Sequence, residues 1–586
     1  MNYLFFAPYS GVWPAAMPES LIARELQSAG HNVHVIRCDR ELNKYCSSMT
    51  SHGLRYDSSL DLKEKVCSVC TSSRNILNNQ LDLGSSLIKD HLTPKNYDLV
   101  NHILESANLN NWEDIRINEV DIGKLATYEV FLNNKISRKE EIRGVWDEYI
   151  NNLKQCLLAS ISTYNFLNNN HIDTIIVYNS LYSLNRSVVK TGETLGVNWR
   201  TIHGGKNIVD MLRTVTISDD DSTDILLARS ELWEKYRNVP LDTIKVESIH
   251  NHINYLFSAK SAFTYSSKKT KIKGNEIRRR FNIDDQKKII LCCLASEDER
   301  FATDMVDAFE FKMSEGSELF KDNYQWMSYL INFVEQNTQF HLILRVHPRM
   351  FPNKRENQTS PSVAALELFF QNLPKCVSVN MPSDGLSLYD LAEVVDVVVN
   401  ATSTTGLELL TLGIPVVNHC PKNLFAYPFD FNYIGTTDET YTAAILKASA
   451  DGWSITNAVN AFRFRSFLFN HWSISMHDAV PSRTRISMLR VATWMCLRRN
   501  VYCLKGLIRI LQKLELSRCP STLKESDRII QSIELDRAEI LDVEESKGGL
   551  EDEEKLLVQA VLKRVSKNYF SEDEMGTLGW RIRTAD

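Results

Sequence analysis

Two turns in the second half of the chain carry residues suited to holding a phosphate. The first is Thr402-Ser403-Thr404-Thr405-Gly406, which follows the apolar run Val397–Val399 and precedes the helix-like stretch 407–412. A strand that ends in hydroxyls and a glycine and then enters a helix presents the first N–H groups of that helix as unsatisfied donors. The hydroxyls of Thr402, Ser403, Thr404 and Thr405 can donate to phosphate oxygens, and Gly406 lets backbone approach closely. The same residues also satisfy a plain cap, with Glu408 completing a capping box. Both readings stand at this point. The second turn closes the apolar strand of LRVHPRM, Leu344 to Met350. His347 beside a phosphate donates a hydrogen bond or, when protonated, a charge. Arg345 and Arg349 flank it, and they share its face only while strand alternation lasts, which Pro348 interrupts.

Elements that alternate β and α must position these turns. The start NYLFFAPYSG reads as a strand running into a turn at Ser10 and Gly11. A helix, a stop at Gly30 and a second strand follow, a βαβ opening that implies a parallel sheet. IDTIIVYNS and VNWRTIHGG are further strands around the helix NRSVVKTGETLG. The Ser/Lys-rich stretch from Ser266 to Gly274 reads as a linker, and a second alternating block follows it. Its strands are KKIILCCLAS, FHLILRVHP, CVSVN, VVDVVVN and IPVVNH. Two such blocks place a cleft between them, and ligands bind outside the carboxyl ends of the strands. Residues 40–125 read as a polar, loop-rich, Cys-containing insertion. The domains are thus expected at 1–265 and 275–480, with a helical tail at 483–586 that is basic and then acidic. Within the tail, 483–518 holds nine Arg/Lys and one acid, and 525–554 holds twelve Asp/Glu and three Arg/Lys.

The 586 residues exceed one core, and 43% hydrophobic with 24% charged residues is a soluble globular composition. A net charge of -6 argues against nucleic acid as a partner. The N-terminus lacks the basic start and long apolar run of a secretory signal. No uncharged apolar run reaches the roughly 18 residues of a membrane span. The twelve cysteines then read as reduced, and the expected location is cytoplasmic.

The second block resembles the donor half of GT-B glycosyltransferases, especially the capsular and surface polysaccharide group that includes Kdo- and sialyltransferases. RVHPR, SLYDLAEVVDVVV and NATSTTGLELLTLGIPVV carry the resemblance. CLASEDERF is similar to that group's loop after the first donor-domain strand, and SLIARELQSAGHNVHVI looks like the acceptor half. The likeness covers roughly 1–40 and 120–475. It implies an α/β GT-B fold of two Rossmann-like domains facing a cleft. It implies transfer of a sugar from a nucleotide-activated donor, with a CMP-sugar favoured, to a surface polysaccharide or lipid-linked glycan, with no catalytic metal. Arg345, His347, Arg349, Thr402 to Gly406 and Glu408 would bind the donor, Glu408 at its ribose. Nucleotide-sugar 2-epimerases and CDP-glycerol-type glycerophosphotransferases have similar turns. A non-catalytic scaffold of a polysaccharide assembly complex is a further alternative.

Transfer also requires activation of an acceptor hydroxyl. Glu19 at the head of the first helix, His203 at a strand end, and Ser296, Asp298 and Glu299 in the donor-domain loop are the candidates. Ser10, Gly11 and Asn179 would hold the acceptor. For Glu19, His203 and Asn179 a cap or turn role is equally open. Cys38, Cys46, Cys67 and Cys70, spaced C-x7-C-x20-C-x2-C, are expected to bind a structural zinc. The basic, apolar segment from Arg490 to Leu516 is expected to contact an anionic membrane surface, at the inner face of the cytoplasmic membrane. Packing on the body is the alternative.

Overall fold

The computed structural model describes every residue except 220–230, 261–264, 266, 310–311, 313–316, 318, 354–356, 421–426, 481–504, 536–550, 572–574 and 585–586. Two α/β domains are present, each built on a largely parallel sheet. The first sheet contains β1 (Asn2–Phe6), β2 (Asn32–Arg37), β3 (Ser85–Leu87), β4 (Thr174–Tyr178), β5 (Asn198–Gly204) and β6 (Thr214–Ser218). The second contains β7 (Lys288–Cys293), β8 (Phe340–Arg345), β9 (Val377–Asn380), β10 (Val397–Asn400), β11 (Val416–Asn418) and β12 (Tyr433–Ile434). A late strand, β13 (Ile474–Ser475), returns to the first sheet and pairs antiparallel with β6.

The first sheet has the order β13-β6-β5-β4-β1-β2-β3, parallel from β5 to β3. The second has the order β12-β11-β10-β7-β8-β9 and is parallel throughout. The central strands are continuous apolar runs because helices cover both faces. Tyr3, Leu4, Phe5 and Phe6 are all fully buried, as are Val397, Val398 and Val399.

Two expectations about organisation are corrected. The segment 40–125 is not a loop-rich insertion. It supplies β3 and the long helix Leu60–Leu81, which buries Val66, Val69, Ile76, Leu77 and Leu81 at helical spacing. The first domain does not extend to 265. Helix Thr243–Phe257 buries Val246, Ile249, Ile253, Leu256 and Phe257 in the core of the second domain. The described residues of the tail pack on both domains, as in the alternative of packing on the body. Leu516, Leu523, Ile529 and Ile533 join the first core, and Val558, Val561, Leu562, Val565, Phe570, Leu578 and Ile582 join the second.

The stretch read as a linker is pinned as well. Lys269, buried, lies 3.3 Å from Asp390 and 3.8 Å from Glu393, both also buried. Thr270 donates to Asp390 through its backbone N–H and its hydroxyl, at 2.8 and 2.9 Å. Asp390 belongs to the SLYDLAE helix, where it also accepts from the backbone and hydroxyl of Ser387.

Candidate functional site

Strand register places the two phosphate-compatible turns on one edge. Asn400 pairs with Cys293, and Cys293 with Arg345, so β10, β7 and β8 end in line. The chain order runs outward from β7 in both directions, to β8 and β9 on one side and to β10, β11 and β12 on the other. The point between β7 and β10 is therefore the topological switch, where a crevice opens beyond the carboxyl ends. Ser296 follows β7 there, and the Thr402–Gly406 turn follows β10. His347 leaves β8, two strand spacings or about 10 Å from β10. Side chains from both turns can span that gap to one bound group.

Local bonds define the 402–406 turn. The Ser403 hydroxyl oxygen accepts from Thr405 N at 3.3 Å and from the Thr405 hydroxyl at 3.0 Å. The N-cap residue Thr404 makes no side-chain cap bond, and Glu408 bonds Tyr389 instead, so the capping box is not formed. The Asn400 side-chain amide donates to Ser403 O at 2.9 Å and to the Tyr427 hydroxyl at 3.1 Å. A Cβ on Gly406 would lie 1.9 Å from that hydroxyl. Gly406 is thus required by the approach of Tyr427 and Asn400. Thr402 is buried, Ser403 and Thr405 half-buried and Thr404 exposed. Helix Thr405–Leu410 has only six residues, so its dipole adds little and the hydroxyls carry most of the turn's polarity.

His347 is half-buried beside the Tyr265 ring, with centroids 5.8 Å apart. Its Nδ1 accepts from Arg349 N at 3.2 Å, which leaves the ring proton on Nε2. Burial, aided by the charges of Arg349, Arg345 and Lys135, lowers its pKa to about 3. The ring is therefore a neutral N–H donor across the physiological range.

The two arginines of RVHPR turn elsewhere. Arg345 is buried and donates to Asn380 Oδ1 and, at 3.4 Å, to Leu386 O. Arg349 is buried and donates to Asp298 Oδ2 at 2.8 Å, to the Tyr265 hydroxyl at 2.7 Å and to Leu132 O at 2.7 Å. Asp298 is buried and also accepts from the Ser296 hydroxyl. Arg349 and Asp298, expected in separate roles, thus form one buried ion pair. Glu299 lies 3.5 Å from Arg349 with its side chain 45% exposed, so it keeps access to solvent. Glu408 Oε2 accepts from the Tyr389 hydroxyl at 2.7 Å. Burial raises its pKa, while Tyr389, Arg465 and Arg345 oppose the rise.

In the first domain the switch point falls between β1 and β4. Ser10 and Gly11 follow β1, and Asn179 follows β4 with φ of 60°. Ser10 accepts from Arg37 at 3.2 Å, and the Asn179 side chain accepts from Leu181 N at 3.1 Å. Glu19 is buried, and its Oε1 has no hydrogen-bond partner among the described residues. Burial raises its pKa to about 8, against the attraction of Arg37. His203 is half-buried in β5, its ring 6.4 Å from that of Tyr178.

The four cysteines expected at a zinc site line one small cavity of about 20 Å³ with Pro8, Arg40, Leu42, Ser48, Val66 and Thr71. Gly11 N donates to Cys70 Sγ at 3.1 Å. Burial raises the pKa of all four thiols, Cys46 to about 12 and Cys67 to about 11. Among the described residues no group of three or more His, Cys, Asp or Glu side chains is arranged to hold a metal ion. The cavity gathers the thiols without forming a coordination set.

Sequence reasoning missed Tyr427, Tyr389 as a partner of Glu408, and the cations that join the domains. Lys135 from the first domain is fully buried and donates to the carbonyls of Arg349, Phe351 and Gln358. Arg186 donates to Val306 O and Asp307 O, each at 2.7 Å. Phe131 stacks on Phe301 at 5.5 Å. Only Asn400 left a signal, as the polar residue that ends an apolar strand.

No protein-family model matches the chain, and none of the curated proteins matches it. Among solved structures it is similar to the beta Kdo 2,4 transferase KpsC of Thermosulfurimonas dismutans, with 13% identity and a TM-score of 0.28 over 50% of this chain and 87% of that one. It is similar to a UDP-GlcNAc 2-epimerase of Neisseria meningitidis, with 10% identity and a TM-score of 0.25 over 84% of this chain and 100% of that one. It is also similar to the calicheamicin glycosyltransferase CalG4, with 10% identity and a TM-score of 0.25 over 79% of this chain and 93% of that one.

Proposed function

We propose that this chain transfers a sugar from a nucleotide-activated donor, with a CMP-sugar favoured, to a surface polysaccharide or lipid-linked glycan. The observation that carries the reading is the switch point of the second sheet. A neutral imidazole N–H and a hydroxyl-rich turn leave the same edge on either side of β7. Sugar transfer requires a leaving phosphate to be stabilised as negative charge grows on it. His347 Nε2–H donates to that phosphate, and Ser403, Thr404 and Thr405 bind its remaining oxygens. Glu408, held by Tyr389, takes the ribose hydroxyls. In the first domain Ser10, Gly11 and Asn179 flank the acceptor. Glu19, its pKa raised to about 8, keeps its proton at neutral pH and accepts one from the acceptor hydroxyl only in its ionised form, so base catalysis through it grows as pH rises towards 8.

These contacts strengthen as the bond to the phosphate breaks, so they act on turnover more than on binding. The test is donor hydrolysis and transfer across CMP-, UDP-, GDP- and CDP-activated compounds, with product analysis to separate transfer from epimerisation. His347→Ala should lower kcat with the preferred donor by about 10²–10³. Ser403→Ala should lower it less, because neighbouring hydroxyls substitute. Full activity in His347→Ala would place the phosphate elsewhere.

A further inference from the structure

Helix Lys505–Leu516 has two unlike faces. Its inner face is tied to the first domain. Leu511 and Leu516 are buried there, Gln512 donates to the Ser73 hydroxyl at 2.9 Å, and Glu515 accepts from Trp13 Nε1 at 2.9 Å. Its outer face is apolar where a docked helix is ordinarily polar. Leu507, Ile510 and Leu514 are 36%, 56% and 41% exposed. Their spacing of three and four residues sets them in one stripe. Arg509 and Lys513, both exposed, border the stripe one turn apart. The single carboxylate between 505 and 518 is Glu515, and it faces inward. The helix thus sorts its charges, with the acid against the body and the cations beside an exposed apolar stripe.

We propose that this outer face docks on an anionic lipid surface. Leu507, Ile510 and Leu514 enter the boundary between headgroups and acyl chains, and Arg509 and Lys513 meet lipid phosphates. The sorted charge selects this occupant. A groove of a protein partner would be served by the apolar stripe alone, whereas an anionic surface also uses the flanking cations and tolerates no outward acid. The helix lies in the surface and does not cross it. Among the described residues no helix is long and apolar enough to do so. The inference uses no residue of the proposed donor site, so either reading can fail without the other.

The test is flotation of the full chain with vesicles of phosphatidylethanolamine alone and with added phosphatidylglycerol. The chain should float with the anionic vesicles, and added salt should weaken the binding. The triple variant Leu507→Ser, Ile510→Ser, Leu514→Ser and the pair Arg509→Glu, Lys513→Glu should each lower the bound fraction tenfold or more. All five side chains that differ are at exposed positions, so thermal unfolding should stay that of the wild type. If the triple variant unfolds early, the charge-reversal pair decides. Equal binding to both vesicle types, flotation unchanged in the charge-reversal pair, or no flotation of the wild type overturns the proposal. So does a solution dimer that the triple variant abolishes, since a second copy is then the occupant.

Discussion

His347 and Glu19 are each held neutral by burial, with opposite consequences for pH. His347 is lowered to about 3, so above pH 4 the imidazole keeps one proton on Nε2 and acts as a dipole donor. A pH–rate profile should then show no limb from this residue between pH 5 and 8. Glu19 is raised from 4.5 to about 8. A carboxyl with a raised folded-state pKa binds its proton more tightly when folded. Its contribution to stability is full below about pH 4.5 and is lost as pH rises towards 8. Glu19→Gln should remove that loss. Denaturant midpoints of wild type and variant should be similar at pH 5 and diverge by pH 8, with the variant the more stable. A constant difference across this range would mean that Glu19 is ionised in the fold. The chemistry of His347 and Ser403 was legible because it sits in short runs after apolar strands. The Arg349–Asp298 pair was not, because 51 residues separate partners that only the fold brings together.

At the scale of elements, the turn after β10 is shaped by packing as much as by chemistry. Gly406 was legible as a glycine that permits close approach. What approaches is Tyr427 with Asn400, and no periodicity marks a tyrosine 21 residues on. Gly406→Ala would force a Cβ to within 1.9 Å of the Tyr427 hydroxyl. The helix start must shift or the tyrosine must leave Asn400, at a cost of about 1–3 kcal/mol. Gly406→Ala with Tyr427→Phe should recover part of that loss in urea unfolding, because the variant removes the atom met first. An unchanged midpoint in Gly406→Ala would show that the contact is absent in solution. The strands themselves were read closely, since buried parallel strands are unbroken apolar runs. The sequence hides helix Leu60–Leu81, because its buried positions are spread among Lys, Ser, Asn and Cys. The sequence does not show which domain holds helix Thr243–Phe257, because an amphipathic pattern says that a face is buried and not against which sheet.

At the scale of the molecule, the two domains share their chain in both directions. Helix Glu297–Met305 follows the first strand of the second domain, yet Ala302 and Met305 belong to the core of the first. Lys135 and Arg186 cross the same boundary to bind carbonyls beside the His347 turn and at the end of that helix. The described tail residues continue the exchange, with Leu516, Leu523, Ile529 and Ile533 in one core and Val558, Val561, Leu562, Val565, Phe570, Leu578 and Ile582 in the other. The sequence shows the basic and acidic blocks of the tail but not the partners of the apolar residues between them, which only the fold brings near. Burial of each such side chain contributes about 1.5–3 kcal/mol. The eleven together sum to about 16–33 kcal/mol before the entropy of ordering the tail is subtracted, more than the whole net stability of a folded domain, about 5–15 kcal/mol. A chain ending at Ser482 should therefore lose both domains together and not release two intact halves. Calorimetry of the full chain should show domains that unfold as a coupled unit, and the shortened chain should lack a cooperative transition. If the shortened chain keeps a transition at the full-length temperature, the tail contacts contribute nothing to either core, and the exchange of chain between the domains does not couple them.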